Sequence, residues 1–495
     1  MGVLNKIVTK YLLLSGIIFN LGLGVAGYYA TQAIVAKGSL PGFLKLAAQK
    51  LDKPIIKPIA ATLQSASDAL YSPIYYSQPF NAQDWPTVGP NFSLHHSLVG
   101  STSRLFVSNS KQLAQAIKSA LPGTSIIIKD GDYQLSGKRI NVSKTTPTRT
   151  RPIRLMAQNP GKVNISMNSN EGLYLSQPYW LISGLRFIGD CGGNCEHAMH
   201  IVGNAHSIEI SHNEFIDYNA AIKVNGTKNK YPDSGLVTHN HFYANAPRNT
   251  SSSVTPINID HANDWIVSHN IIRDFVKTGG NKVSYGAYIK GGANGGYFEN
   301  NLVICNSSQT QYPSSSVGLS VGGGGMKSRR NNAPYEAENI TIRNNLIIHC
   351  SDVGIYINRG KNATINNNTL YNTMGLDLRF PQTSANVINN VIGGKLRLRD
   401  NSTAMLSEGN LILARGFIRN DEPLGAIFTA PETEDFSINA DHSDLNKHAV
   451  SFPSSDKPSL VDFCSQEITD RQTFIGAFDS TVTDSKPCFP FADAN

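Results

Sequence analysis

A short aliphatic-x-aliphatic segment recurs along the middle of the chain and constrains the fold more than any other feature. Eight such segments align without gaps, and their starts lie 20 to 36 residues apart. The aliphatic pairs are Met199/Ile201, Ile222/Val224, Ile257/Ile259, Ala287/Ile289, Leu319/Val321, Ile355/Ile357, Leu376/Leu378 and Leu396/Leu398. Period-two alternation puts these side chains on one face of a strand. Since one coil cannot bury its apolar face alone, the repeat predicts stacked coils, that is, an all-β right-handed parallel β-helix.

The residues between the aliphatic positions form two outward columns, which we expect to face water and to carry any function. The first column holds His200, Lys223, Asn258, Tyr288, Ser320, Tyr356, Asp377 and Arg397. The second holds Val202, Asn225, Asp260, Lys290, Gly322, Asn358, Arg379 and Arg399. The longest coils lie between Val224 and Ile357, which predicts loops that wall a site over the middle of the sheet.

An asparagine recurs at one position of a second set of segments. These residues are Asn213, Asn240, Asn270, Asn301, Asn345, Asn368, Asn390 and Asn410. Stacked asparagines bond one another and the turn backbone, so we expect a structural ladder, with an amide-lined glycan track as the alternative.

The ends of the repeat differ from its middle. Leu113, Ala116 and Ile117 at helical spacing predict a helix that caps the N-terminal end of the solenoid. We expect the β-helix at residues 104–414 and a C-terminal closing segment at 415–495.

Residues 1–36 are expected to form a signal anchor or transmembrane helix, followed by a stalk or linker at 37–103. The stretch Tyr11–Ala36 is apolar and long enough to span a bilayer. Lys6 and Lys10 before it favour a body on the periplasmic or extracellular side. Cleavage of a signal, giving a secreted protein, and a peripheral helix are the alternatives.

Charge is concentrated at the N-terminus. Residues 1–60 contain seven lysines and one acidic residue, which accounts for six of the seven net positive charges. The rest of the chain is nearly neutral, so no nucleic-acid partner is expected. We expect a monomer.

Six cysteines fit an exported chain, and three disulfides are the simplest pairing, although sequence does not fix connectivity. The expected pairs are Cys191–Cys195, Cys305–Cys350 and Cys464–Cys488. Zinc binding by Cys191, Cys195 and the nearby histidines, or free thiols, are the alternatives to the first pair.

Motifs near the start of the predicted β-helix resemble a known family. Residues 122–133 read Pro-Gly-Thr-Ser-Ile-Ile-Ile-Lys-Asp-Gly-Asp-Tyr, residues 152–157 Pro-Ile-Arg-Leu-Met-Ala, and residues 182–187 Ile-Ser-Gly-Leu-Arg-Phe. This opening resembles the chondroitinase B/alginate lyase class of β-helical polysaccharide lyases over about residues 104–190. The later coils match only as generic coils.

The resemblance implies cleavage of a uronic-acid polysaccharide by β-elimination, with a lysine that takes the C5 proton, an assisting arginine and Ca²⁺ held by acidic residues. It assigns these catalytic roles to Lys290 and Arg359. Tyr288 and Tyr356 are candidate proton donors or sugar-stacking platforms, although aromatic stacking on the sheet is as plausible.

Two departures from the family stand out. The Leu319–Val321 coil separates the lysine and arginine coils, and Val283 and Tyr285 replace the acidic residues expected before the lysine. Ca²⁺ therefore remains possible only through Asp260 and Asn258. A salt bridge between Lys290 and Asp260 is the structural alternative.

The expected substrate-binding residues are Lys223, Asn225, Asn358, Asp377 and Arg379. An ion pair of Asp377 with Arg397 or Arg399 is the alternative for that position. Asp260 and Asp377 lie about four rungs, or ~19 Å, apart. Two carboxylates that distant disfavour glycoside hydrolysis.

Together these features predict an exported carbohydrate-active protein that cleaves an acidic polysaccharide as a lyase. A C5-epimerase uses the same proton abstraction. The rival of another class is a non-catalytic envelope protein that binds glycan or has a structural role, so enzymatic activity itself is left open.

Overall fold

The computed structural model describes residues 40–51, 57–70, 80–93, 98–142, 144–191, 194–227, 229–308, 312–323, 328–414, 423–439, 445–451, 461–467 and 474–478, with residues 310, 416 and 441. The chain divides into two units. One comprises residues 1–73 and 415–421, and the other comprises residues 74–414 and 422–495.

In the first unit, helices α1 (Leu40–Leu51) and α2 (Lys57–Leu70) pack against each other. No helix within the described ranges is long and apolar enough to cross a bilayer. The predicted anchor at residues 1–36 lies outside the described residues.

In the second unit, successive coils each add one strand to three long parallel sheets, which we call sheets 1, 2 and 3 in the order the chain visits them. Sheet 1 has twelve strands: Ser103–Val107, Thr124–Ile128, Ile153–Ala157, Trp180–Ser183, Glu209–Ser211, Leu236–Thr238, Trp265–Ser268, Gly296–Glu299, Thr341–Arg343, Ala363–Asn366, Ser384–Ile388 and Thr403–Glu408. Sheet 2 has eleven strands: Gly131–Leu135, Val163–Met167, Arg186–Gly189, Glu214–Ile216, His241–Tyr243, Ile271–Arg273, Leu302–Ile304, Leu346–Ile348, Thr369–Tyr371, Val391–Gly393 and Leu411–Leu413. Sheet 3 has ten strands: Ile140–Asn141, Glu171–Leu175, His197–Val202, Ile222–Asn225, Ile257–Asp260, Val283–Lys290, Ser315–Val321, Ile355–Asn358, Gly375–Arg379 and Lys395–Arg399. This arrangement is a parallel β-helix, consistent with the predicted right-handed form.

Smaller elements complete the unit. A three-stranded sheet contains Ala293–Asn294, Ala337–Glu338 and Gly360–Lys361, and an antiparallel pair contains Phe428–Ala430 and Asp435–Ile438. Helix α3 spans Ser110–Ser119, and short 3₁₀ helices span Ala82–Asp84, Arg330–Asn332, Pro423–Ala426, Pro431–Thr433 and Leu445–His448.

The predicted register of sheet 3 is confirmed. All eight aligned segments pair at the expected positions, from Met199 opposite Ile222 to Leu378 opposite Leu398. Their inner aliphatic residues are fully buried up to Leu378, because each coil covers the one before. Leu398, on the last strand of the sheet, is 53% exposed.

The predicted capping helix is confirmed as α3. The Asn109 side chain accepts a hydrogen bond from Gln112 N at 3.0 Å and so caps its first turn. Leu113, Ala116 and Ile117 are buried in the solenoid core, as their spacing predicted.

The asparagine ladder is also confirmed as a structural element. From Asn213 to Asn390, each backbone N–H donates to the side-chain oxygen of the next asparagine at 2.9 to 3.1 Å. The ladder residues before Asn410 are fully buried. An amide-lined glycan track is therefore wrong for this column.

Over its later strands, from Leu302–Ile304 to Val391–Gly393, the outer face of sheet 2 is mostly apolar and covered. Leu302 and Ile304 point outward there and join a second hydrophobic cluster with Trp85 from the N-terminal side and Phe436 and Phe463 from the C-terminal tail. The tail covers these strands of sheet 2 and leaves the outer face of sheet 3, whose columns are mostly polar, for a candidate site.

Candidate functional site

The predicted outward columns of sheet 3 are not solvated as expected. Asn258, Asp260, Asn358 and Asp377 are only 3 to 6% exposed. The expectation of a water-facing column is therefore wrong for these four residues, and their polar groups must find partners within the protein.

Two pieces of chain wall the site, in agreement with the predicted loops over the middle coils. On one side, backbone bridges join Arg248 to Lys277 and Val254 to Ser284, so two loops lie side by side. The second wall is the segment 328–336.

Ion pairs fix this second wall. Arg330 binds Asp233 at 2.6 and 3.0 Å. Arg329 binds the fully buried Glu336, which also accepts a bond of 3.3 Å from Gly291 N, directly after Lys290. The segment is thereby held against the ends of the site strands.

The first half of the site is built around Asp260. Lys223 Nζ contacts Asp260 Oδ2 and donates to Asn258 Oδ1 at 2.8 Å. Lys290 Nζ lies 3.7 Å from Asp260 Oδ1, so the predicted pairing of Lys290 with Asp260 is confirmed, but Lys223 is the closer partner. One carboxylate therefore serves two ammonium groups.

Tyr288 forms the floor beneath Lys290. Lys290 Nζ lies 4.2 Å from the centre of the Tyr288 ring, and Asn258 Nδ2 donates to the Tyr288 hydroxyl at 2.6 Å. Burial, reinforced by the charge of Asp260, raises the pKa of Tyr288 to about 12. Because Tyr288 is only 2% exposed, it is poorly placed to meet a substrate.

The coil Ser315–Val321 carries the smallest outward residues of the site. Ser320 and Gly322 occupy the two columns there, between the coils of Lys290 and Asn358. A Cβ atom on Gly323 would lie 3.3 Å from Lys290 Cδ and 3.7 Å from Lys290 Nζ. Lys290 thus leans over small residues of the next coil, the buried Ser320 and Gly322 and the part-exposed Gly323, which together we call the central trough.

Residues of the next coils border the central trough on its other side. Asn358 Nδ2 donates to the Tyr356 hydroxyl at 3.3 Å, and Arg359 donates to Asn358 Oδ1 at 3.2 Å. The Arg359 guanidinium stacks 3.8 Å above the Phe380 ring. Burial raises the pKa of Tyr356, although the nearby Arg379 opposes the shift. This tyrosine is half-buried and therefore more accessible than Tyr288.

Two predicted substrate-binding residues are engaged in ion pairs. Asp377 binds Arg399 at 2.6 Å and Arg397 at 3.3 Å, which confirms the alternative prediction of a local ion pair. Burial raises the pKa of Asp377 in spite of these arginines. Arg379 binds Asp400 at 2.6 Å and remains 35% exposed.

Asn225 belongs to a cluster that the sequence did not reveal. Its side-chain oxygen accepts from His200 Nε2 at 2.6 Å, while its amide nitrogen donates to Gly226 O. His200 Nδ1 lies 2.9 Å from Glu171 Oε1, so both ring nitrogens face oxygen acceptors. Burial alone would raise the pKa of Glu171, but Arg139 and His200 together hold it below its ordinary value.

The predicted Ca²⁺ ligands do not fit a calcium site. Ca²⁺ takes six to eight oxygen ligands. Asp260 and Asn258 each offer one oxygen that is already bound to Lys223, and the other Asp260 oxygen faces Lys290. Within the described part of the chain, no group of three or more His, Cys, Asp or Glu side chains is arranged to hold a metal.

The disulfides near and behind the site agree with prediction. Cys191–Cys195 and Cys305–Cys350 are bonded, which rules out zinc at the first pair. Cys464 is also disulfide-bonded, and its predicted partner Cys488 lies outside the described residues.

Comparison with known proteins supports the resemblance noted from the sequence. The family model described as chondroitinase B matches residues 107–218, and the chain resembles the β-helical polysaccharide lyases. No curated protein is significantly similar to the chain in sequence.

The chain also matches solved structures at low identity. A pectate lyase is 16% identical, with a TM-score of 0.46, over 72% of this chain and 94% of its own. An alginate lyase from Paenibacillus sp. is 14% identical, with a TM-score of 0.36, over 61% of this chain and 100% of its own. A polysaccharide lyase from Pseudopedobacter saltans is 13% identical, with a TM-score of 0.34, over 75% of this chain and 99% of its own.

Proposed function

We propose that the protein cleaves a uronate-containing polysaccharide by β-elimination over the central trough. The observation that supports this most directly is the trough itself, with Lys290 leaning over it from one side and Tyr356, Asn358 and Arg359 bordering it on the other. The two flanking coils are about 10 Å apart at the usual strand spacing, which is room for a sugar ring.

In the proposed reaction, the Lys290 ammonium group first gives a proton to water, and the resulting amine takes the C5 proton. The C5–H electron pair forms the C4=C5 double bond, and the C4–O4 bond breaks. Tyr356 then protonates the departing O4 oxygen. Burial raises the pKa of this hydroxyl, which weakens it as an acid, but the adjacent Arg379 lowers the pKa and so favours release of the proton.

The substrate carboxylate must be neutralised before its neighbouring proton can be removed. Arg359 beside the trough and Arg379 on the following coil, next to Tyr356, are the proposed partners of that carboxylate. The proposed mechanism uses no bound metal, because the residues around Asp260 do not fit one. Two disulfides support export, since such bonds persist in oxidising compartments.

The test is absorbance of unsaturated uronate on a panel of alginate, pectate and glycosaminoglycans. We expect product with the wild-type protein and at least ~100-fold less with Lys290→Ala or Tyr356→Phe, the usual scale for a lost acid or base. Gly323→Ala should also slow turnover, because the added methyl group displaces Lys290.

Lys361→Ala is the matched control. Its ammonium pairs with Glu338, is 53% exposed and should not affect turnover. Unchanged turnover in Lys290→Ala would remove that residue from the mechanism. Absence of unsaturated product on every polymer would refute lyase activity.

A non-catalytic glycan-binding protein is the second candidate. It is favoured by the ion pairing of Lys223, Lys290 and Arg379, which suits a fixed binding surface better than proton transfer. Binding of a uronate polymer without unsaturated product would support it. Altered uronate stereochemistry without cleavage would instead indicate a C5-epimerase.

A further inference from the structure

The Lys223 side chain is held in the site by contacts with residues of the next coil. It crosses from its own strand to the next coil, contacts Asp260 and donates to Asn258 Oδ1 at 2.8 Å. The Lys223 side chain is 18% exposed and that of Asp260 is 6% exposed. An ammonium so placed is held by oxygens much as a bound cation would be.

Asn258 connects Lys223 to Tyr288 through two hydrogen bonds. Its oxygen faces Lys223, so its amide nitrogen faces the Tyr288 hydroxyl and donates to it at 2.6 Å. Tyr288 in turn supports the Lys290 ammonium at 4.2 Å from its ring centre. The position of one ammonium group therefore sets the orientation of an amide, a hydroxyl and a ring.

We propose that Lys223 takes the place of a divalent cation in this site, as a cation supplied by the chain itself. Its part in cleavage rests on the proposed function, but its part in holding the site does not. Lys223 is a positioning residue, because it acts on Lys290 through Asp260 and through Asn258 and Tyr288.

The chemistry of the two kinds of cation explains the donor set. Calcium needs many oxygens around it, whereas an ammonium group needs about three acceptors. The two oxygens that face Lys223, from Asp260 and Asn258, are too few for calcium and suit a lysine. A tethered cation also cannot be removed by a chelator.

The experiment compares thermal unfolding of the full chain with EDTA, with CaCl₂ and with methylammonium chloride. The wild-type Tm should not change with any of them. Lys223→Ala should lower Tm by several degrees, and methylammonium should restore part of the loss by entering the vacated space. Ca²⁺ should restore little, because two oxygens are too few to hold it. Lys223→Met should lower Tm without a response, because its side chain fills that space.

Lys361→Ala controls for general effects of these salts on a lysine variant. Should Lys223→Ala not fold, refolding it with and without methylammonium gives the same comparison. If the protein is active, methylammonium should raise the turnover of Lys223→Ala. EDTA should leave the turnover of the wild type unchanged.

Three results would overturn the inference. The first is a wild-type Tm that falls with EDTA and no longer does so in Asp260→Asn. The second is a Tm of both Lys223→Ala and Lys223→Met that equals the Tm of the wild type. The third is a Lys223→Ala protein that is destabilised but does not respond to added methylammonium. Since these readings need no turnover, they stand apart from the test of the proposed function.

Discussion

Trp85 Nε1 donates a hydrogen bond of 3.0 Å to Glu434 Oε2, and both side chains are buried beside sheet 2. The bond links the N-terminal segment to the C-terminal tail. Burial, together with the charge of Asp84, raises the pKa of Glu434 to about 7, although the bond from Trp85 opposes this. The link is therefore sensitive to pH near neutrality.

Stability should fall as pH rises from about 4.5 to about 7 through this carboxyl group. The folded pKa of Glu434 lies above its ordinary value of 4.5, so the protonated form is favoured by folding and its contribution is lost on ionisation. Glu434→Gln should flatten that part of the Tm profile. The exposed Glu432→Gln serves as control, and equal slopes in wild type and Glu434→Gln would contradict the prediction.

Three histidines at one turn position should give stability the opposite pH dependence, with stability lost as pH falls. The rings of His212, His239 and His269 stack at 4.9 and 4.7 Å. Burial lowers the pKa of His239 and His269 to about 4, with His269 adding to the effect on His239. Their contribution to stability is present above pH 6.5 and lost as pH falls toward 4.

Asparagine is the natural replacement, because Asn300, Asn344, Asn367 and Asn389 continue the same left-handed turn position in later coils. His269→Asn should therefore retain more of its stability between pH 6.5 and 4 than wild type. Denaturant unfolding across this range is the measurement. A variant that loses stability as steeply as wild type would show that the stack is not responsible.

Removal of one ladder asparagine from the middle of the solenoid should be costly. Asn301 accepts from Asn270 N and Nδ2 and donates to Val267 O and Asn345 Oδ1, all in the interior. Asn301→Ala leaves several buried groups unpaired and should cost about 3 kcal/mol.

Asn410 offers a matched comparison at the end of the ladder. It is only part-buried and is the last asparagine of the ladder among the residues that the structure describes. Asn410→Ala should cost about 1 kcal/mol by the same reasoning. Equal losses of unfolding free energy in the two variants would mean that ladder position is irrelevant.

The two disulfides should differ in their contribution. Cys305–Cys350 closes a separation of 45 residues and Cys191–Cys195 one of 4. Loop-closure entropy assigns them about 4 and about 2 kcal/mol respectively. Unfolding of the two double-alanine variants measures the difference, and a larger loss from the short loop would refute this account.

The register of sheet 3 could be predicted because the core enforces it. A slip of one residue would turn Leu376 and Leu378 outward, so the aliphatic pattern permits one alignment. The sequence also contains a signal for the covered face of sheet 2. The strands Leu302–Ile304 and Leu346–Ile348 are apolar on both faces, which is typical of strands buried on both sides.

The interior of the site could be predicted only in part. The predicted columns correctly placed Lys223, Asp260 and Lys290 on adjacent strands. They could not predict the partner of each lysine, because a lysine side chain can reach either neighbouring strand. Pairing of Arg330 with Asp233 joins residues 97 apart in loops without a repeat. No periodic pattern predicts such contacts between loops. The sequence therefore did not predict that the outward columns of sheet 3 are buried.

The positive-φ turn column has a mechanical consequence. Asn300, Asn344, Asn367 and Asn389 donate their amides to backbone oxygens of the tail between Val450 and Phe474, and His269 O accepts from Gly89 N. Solenoids commonly fray coil by coil from an open end. Here the tail bonds to four successive coils and the Gly89 segment to the coil before them, so these coils cannot separate one by one without breaking those bonds, and this half of the molecule should come apart in a single step.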